Sequence, residues 1–484
     1  MKRNILALTA HGLILSILLA VFGCISLRRS QSEAREKFTG QLEQNVTLRI
    51  LENDTAKEKG YFRELLDAFN AAYAEYGIVA VDANMDQYTD LEQDGPYGYG
   101  PDVLYQANDA LMKYTDGKHI QPLPVEQLDC YSQISRQAWD AYTAEYGGES
   151  YVFGVPVNIQ GPLLYYRRDL LPDNWQTEWD DDKNGVPDMT EYWTELYAYS
   201  RQLREESGGT KFGYMKSLFD TYFSSGFLFT YGGYVFGGGG MDTTDIGFSA
   251  GDAYKGAYIL RQLASVMNQD CIDDTITVNA YSMLGNGTYF ATMTTPDVYT
   301  LFLDELAKGY MRREKLDEDA AYEKARENLV AADIPKLPAS GDLEDREGEM
   351  VPSVMMGGIN GYAVSTYTKA PNAALAFVNF ATSYEMISRR NALLGIVPAR
   401  GDVAAQAGGL SETINRNLMA GRIAVMPSTK AIAQIWTPAQ TFFSDLAKDP
   451  FRLPEEQKYV TDEALRKGLQ KVDEQIYSAI HTLS

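Results

Sequence analysis

The stretch from Tyr151 to Glu191, YVFGVPVNIQGPLLYYRRDLLPDNWQTEWDDDKNGVPDMTE, constrains the chain more than any other. Its first half, to Tyr166, is apolar and aromatic but interrupted by Pro156, Asn158, Gln160 and Gly161, which predicts two short strands joined by a bend. Its second half places Asp180, Asp182, Asn184, Asp188 and Glu191 at positions 1, 3, 5, 9 and 12 of a twelve-residue loop, with the Val186 carbonyl at 7 and Gly185 at 6. A hard cation such as calcium needs six to eight oxygens, and a glycine at the turn lets the chain bend sharply enough for them to converge. These six residues are therefore the expected calcium ligands. The loop holds four Asp and one Glu against Lys183, a formal charge of −4 that repels itself without a counter-ion. Pro172 argues against a helix entering the loop, and Pro187 lacks the N–H through which two such loops pair. An isolated structural calcium site just before a helix over 190–204 is the expectation.

Upstream of that stretch the pattern alternates. Asn45 to Leu51 reads as a strand, Lys57 to Tyr76 carries Phe62, Leu65, Leu66, Phe69 and Ala72 at helical spacing, and Ile78 to Ala83 reads as a second strand. Strand, helix, strand implies an α/β layer with helices on the faces of a sheet. With 484 residues there is room for two or three domains, and 43 basic against 66 acidic side chains, a net −23, make nucleic acid an unfavourable partner.

Lys2 and Arg3 precede a mostly apolar run from Ile5 to Phe22, followed by Gly23 and Cys24, the order of a secretory signal with a small residue before the cut. Cys24 after Gly23 resembles the bacterial lipobox, whose cysteine is lipidated; an uncleaved membrane anchor is the alternative, and either reading exports residues 25–484. Residues 1–23 are read as the signal and 24–44, polar and without apolar periodicity, as a tether. Whether Cys130 and Cys271 pair is open from sequence.

A further series of segments carries a resemblance: GPYGYGPDVLYQANDALMKYTDGKHIQPL at 95–123, VPVNIQGPLLYYRRDLLPD at 155–173, KFGYMKSLFDTYFSSGFLFTYGGYVFG at 211–237, NGTYFATMTTPDVY at 286–299, GINGYAVSTYTKAPNAALAFVNFAT at 358–382, LLGIVPAR at 393–400 and MPSTKAIAQIW at 426–436. In order and spacing they resemble the family 1 extracellular solute-binding proteins of ABC importers, the maltose-binding-protein group, over most of residues 45–484. The resemblance implies an α/β, two-lobe periplasmic-binding-protein-like fold with interlobe hinge crossings. One lobe would comprise 45–157 and 356–404, the other 160–354 and 408–484. It further implies a monomeric receptor, anchored to the cell membrane, that captures an oligosaccharide of maltodextrin type and hands it to a membrane permease, with no chemistry of its own.

Sugar sites combine aromatic faces with fixed carboxylates and amides. By position in the family pattern, Trp436 matches a stacking aromatic. Asp220, Tyr222 and Phe223 match an acidic-aromatic cluster, although Phe223 fits a core position equally well. Asp109 matches a hydroxyl-binding aspartate, while Ala110 and Gln106 stand where maltose binders often carry arginine and tryptophan. Gln160 stands where a hinge glutamate is common and Asp297 where a tryptophan is found. Asn53, Asp54, Asp86, Tyr88 and Tyr231 are weaker candidates in loops.

Two enzyme signals are decoys. Gly247 to Gly251 matches G-x-S-x-G, but the mature chain has only His119 and His481 as histidines, and Ser249 is expected to cap a helix over 252–267. Gly237 to Gly240 lacks the Gly-Lys-Ser/Thr of a phosphate loop. The alternatives are a cell-surface glycoside hydrolase, which would need two carboxylates flanking a sugar bond, and a binding protein for a different solute such as a peptide. The charged stretch 304–329 is read as a solvated surface helix.

Overall fold

The structure, a computed structural model, describes residues 37–86, 90–115, 117–146 and 149–481. The signal and lipobox readings, and Tyr88, lie outside the described residues. The chain divides into two compact units. One comprises the described residues up to Val157 with Asn360–Leu394 and Ala399–Val403; the other comprises Asn158–Ile359, Gly395–Pro398 and the residues from Ala404.

In the first unit, strand Thr47–Leu51 pairs in parallel with Val79–Asp82 on one side and Val103–Ala107 on the other, and Asn360–Val364 runs antiparallel to Val103–Ala107. Helices Tyr61–Ala72, Pro371–Ala381 and Tyr384–Leu394 accompany this sheet. Phe69 meets Phe377 and Phe380 edge to face at 5.0 and 5.7 Å. A charged group sits in the same core. Arg390 and Glu52 are both fully buried, joined by two hydrogen bonds of 2.8 and 3.0 Å, and the Tyr362 hydroxyl donates to Glu52 at 2.6 Å. The Arg390 guanidinium lies 4.0 Å from the Tyr105 ring centre, so the pair is enclosed by aromatic surface. A buried ion pair of this kind is tolerable only because each charge meets a hydrogen-bonded partner.

The second unit is built on a four-stranded sheet in which Leu163–Arg167 and Tyr289–Thr294 are central, with Leu329–Ala332 and Phe212–Tyr214 outside them. Leu163–Arg167 is buried along its whole length, and Arg167 is satisfied by Asp169 and by the carbonyls of Leu284 and Gly285. Helices Trp193–Glu206, Thr221–Thr230, Ala253–Val266, Trp436–Lys448 and Asp462–His481 belong to this unit. Short pairings complete it: Met355–Gly357 with Ile423–Val425, and Val397–Pro398 with Asn158–Ile159. The last pairing is why 395–398 groups here, although the expected boundary put it with the first lobe. At Gly357 an added Cβ would come 2.3 Å from the Ile423 side chain and 2.7 Å from the Gln160 carbonyl, so glycine is what lets these strands approach.

Several expectations need correction. Tyr151 to Tyr166 forms strands Glu149–Val152, Val155–Gln160 and Leu163–Arg167 rather than two. The helix over 57–76 is broken into Asp54–Glu58 and Tyr61–Ala72 by Gly60, in a left-handed conformation at φ 82°. The tether reading fails at its end. Phe38 is 3% exposed, and Glu43 accepts from the backbone N–H groups of Asn372 and Ala373, so 37–44 packs onto the first unit as the cap of helix Pro371–Ala381. The stretch 304–329 is two helices, Tyr299–Glu314 and Glu318–Asn328, parted by Lys315 at φ 59°; Phe302, Leu303, Leu306 and Tyr310 are buried, so it is amphipathic rather than solvated. Trp175–Glu178 forms a short helical turn despite Pro172, and the helix expected over 190–204 begins at Trp193. Ser249 is no cap, because helix Ala253–Val266 starts after Asp252. Among the described residues no helix is long and apolar enough to cross a membrane.

Candidate functional site

Most of the sequence-predicted residues lie in the second unit. Gln160 ends strand Val155–Gln160, and its carbonyl accepts the Tyr222 hydroxyl at 3.1 Å. Asp220 caps helix Thr221–Thr230, its carboxylate accepting from the Tyr222 N–H at 3.0 Å; an acid belongs there because the first N–H groups of a helix have no partner of their own. Tyr222 meets Phe223 edge to face at 5.0 Å. Phe223 is 8% exposed, so its ring mainly packs. Trp436 opens helix Trp436–Lys448, and its carbonyl accepts the Thr221 hydroxyl at 3.3 Å, which holds the starts of two helices together. The Trp436 ring is half-buried and has no aromatic or cationic ring partner among the described residues.

Sequence reasoning missed Lys216. Its ammonium lies 3.4 Å from the Phe223 ring centre, and burial pushes it down to about 8 against the opposing pull of Asp220. Lys216 lines a small cavity with Ser217, Tyr281, Thr292, Thr294 and Phe302. The Ser217 hydroxyl and the nearby Tyr165 hydroxyl are buried without hydrogen-bond partners, a costly arrangement that a ligand hydroxyl would relieve. Asp297 is exposed and does not line that cavity; burial raises the Tyr165 and Tyr281 hydroxyls, and the Asp297 charge raises them further. No local pattern marks Lys216 or Ser217, since what distinguishes them, the Phe223 ring against the ammonium and the buried hydroxyl, is supplied only by the fold.

Asp109 and Gln106 lie in the first unit, at the end of strand Val103–Ala107 and the start of helix Asn108–Met112. Burial pushes the Asp109 carboxyl up, partly countered by the N–H groups of Ala110 and of Asp109 itself. The weaker candidates hold structure. Asn53 caps helix Asp54–Glu58, and the Tyr231 hydroxyl donates to the Pro338 carbonyl; Asp54 and Asp86 are exposed.

The serine decoy resolves into packing. Asp473 accepts from the backbone N–H groups of Phe248 and Ser249 at 2.9 and 3.0 Å, and burial pushes its carboxyl up to about 6. His119 bonds to the Tyr367 hydroxyl, and His481 to the Thr243 carbonyl. Cys130 is a free, buried thiol.

In the acidic loop, carboxylate oxygens of Asp182, Asp188 and Glu191 lie within 4.8 Å of one another. The Asp180 carboxylate turns inward, accepting the Gly185 N–H at 3.2 Å, and Asn184 reaches Glu191 at 2.9 Å. Val186 is exposed at the rim.

Aromatic, amide and acidic side chains at strand ends and helix starts, on two α/β units each assembled from separate stretches of chain, define a solute-binding protein. The chain belongs to the bacterial extracellular solute-binding protein family, whose model matches residues 53–386. It is 25% identical over 366 residues to the maltodextrin-binding protein MdxE of Bacillus subtilis (strain 168), covering 75% of this chain and 76% of that one. It is 27% identical over 179 residues to a galactooligosaccharide-binding protein of the same organism, 36% of this chain and 38% of that one. The fold is similar to a cyclo/maltodextrin-binding protein complexed with maltotetraose, with TM-score 0.67, 18% identity and 92% and 99% of the two chains covered. It is also similar to the maltose-binding protein MalE of Listeria monocytogenes in complex with maltose, with TM-score 0.63, 19% identity and 88% and 97% coverage.

Proposed function

We propose that this protein is the solute receptor of an ABC importer, that its solute is an oligosaccharide of maltodextrin type, and that lipid on Cys24 holds it at the cell membrane. The observation that carries the reading is the half-buried, unstacked Trp436 ring beside the Asp220 and Tyr222 pair, in a member of the extracellular solute-binding family. Such a ring offers a flat apolar face to the C–H side of a sugar, while Asp220, the Lys216 ammonium and the Ser217 hydroxyl read its hydroxyl rim. The relatives whose names state maltodextrin and maltotetraose support the solute class. Delivery to a permease is supported by the family alone.

Calorimetry against a panel of oligosaccharides tests the reading. Heat with an α-glucan series and no new product on chromatography is expected; product formation overturns it in favour of hydrolysis. Trp436→Ala should weaken that binding about tenfold or more, the loss of roughly 1.4 kcal/mol of stacking, with an unchanged melting temperature. Cys24→Ser should move the protein from the membrane fraction into the medium.

A further inference from the structure

The acidic loop carries charge that the protein does not balance. Among the described residues no lysine or arginine forms an ion pair with Asp180, Asp182, Asp188 or Glu191, although carboxylate oxygens of the last three stand within 4.8 Å of one another. Like charges at that separation repel, and the hydrogen bonds inside the loop, Asp181 N–H to Asp188 and the Asn184 amide to Asp182 and Glu191, place the acids without neutralising them. A second observation is independent of the cluster. Asp180 is only 8% exposed; one carboxylate oxygen accepts the Gly185 N–H from within the loop, and the other, Oδ1, is buried with no partner at all. A buried carboxylate oxygen without a donor is expensive, and its twin on the same carboxylate is held from within the loop by Gly185.

We infer that residues 180–191 form a calcium site, in which Asp180 Oδ1 is the buried ligand and Asp182, Asn184, Asp188, Glu191 and the Val186 carbonyl supply the rest. The donors are all oxygen, and carboxylates predominate, which selects a hard divalent cation; with Glu191 binding through both oxygens, six residues offer seven donors, one more than magnesium takes in its rigid octahedron. The Asn184 amide, whose nitrogen faces Glu191, turns over to offer its oxygen. The site lies wholly in the second unit and is separate from the proposed sugar contacts. Its effect is local tethering. The Asp188 N–H donates to the Trp179 carbonyl, the Lys336 N–H donates to the Glu191 carbonyl, and the Trp193 N–H donates to the Lys336 carbonyl, so the ion fixes the entry to helix Trp193–Glu206 and its neighbouring chain together.

The test uses the purified full chain in chelator, in magnesium and in calcium. Calcium is expected to raise the melting temperature by about 3 °C or more once it exceeds its dissociation constant a hundredfold. Terbium should emit on tryptophan excitation, through Trp179 at the loop's edge, and calcium should displace it. Asp180→Asn combined with Glu191→Gln should abolish both responses. Since Asp180 is buried and that variant could fold poorly, Asn184→Lys, at an exposed position, is the companion; it should keep oligosaccharide binding and lose the terbium signal. Equal melting temperatures in calcium and chelator overturn the site, as does a calcium response that survives in both variants. Oligosaccharide affinity should be the same in calcium and chelator, and a large change would overturn the purely local role.

Discussion

Lys216 is a residue whose chemistry departs from what its neighbours in sequence suggest. Its ammonium is enclosed against Phe223 and held down to about 8, whereas in the unfolded chain it titrates near 10.5. Between those values the unfolded chain carries a proton that the folded chain has released, so this group makes stability rise with pH from about 8 to 10.5. Lys216→Met should flatten that rise and lift the melting temperature at neutral pH, an effect on the order of 1 kcal/mol, while weakening oligosaccharide binding. A melting curve at several pH values, paired with calorimetry, checks both. The Glu52 and Arg390 pair behaves oppositely. Glu52→Gln strands a buried guanidinium and should cost about 3–5 kcal/mol, read as a large drop in melting temperature or loss of soluble protein. Neither residue was visible as special in the sequence. The calcium-like ligands were, because a loop that closes on itself within twelve residues writes its chemistry locally, while the burial of Lys216 and the pairing of residues 338 positions apart depend on the whole fold.

Among the elements, helix Pro371–Ala381 shows how a distant segment can finish a local structure. Its first N–H groups are met by Glu43, over three hundred residues earlier. Burial alone would raise that carboxyl, but the hydrogen bonds from Asn372 and Ala373 outweigh it and hold it below its ordinary value. With a lowered folded value, the cap's contribution is present above the unfolded range and fades as pH falls through the folded one. Glu43→Ala should cost about 1 kcal/mol at neutral pH and nothing measurable in strong acid, as followed by thermal melts at the two pH values. The sequence marked the strands of the first unit well, since alternation and turn residues are local signals, and missed this cap because residues 37–44 look like polar linker on their own. The reading of Ser249 as a cap failed for the related reason that its partner, Asp473, is over two hundred positions away.

At the scale of the molecule, both units are assembled from separated stretches. The first needs strand Asn360–Val364 against Val103–Ala107, Tyr362 and Arg390 against Glu52, and helix Pro371–Ala381 against Phe69. A chain ending before Met355 should therefore fail to form that unit, seen as rapid proteolysis of residues 37–157 and loss of ordered circular dichroism, since none of those contacts can be replaced locally. Residues 395–398, expected with the first lobe, group with the second unit through a two-residue pairing too short to leave a pattern in the sequence. The packing of Phe38 and Glu43 also has a consequence for trimming the chain. Residues 37–44 belong to the first unit, so cutting them away strips helix Pro371–Ala381 of its cap and uncovers the surface that Phe38 seals, rather than merely shortening a linker.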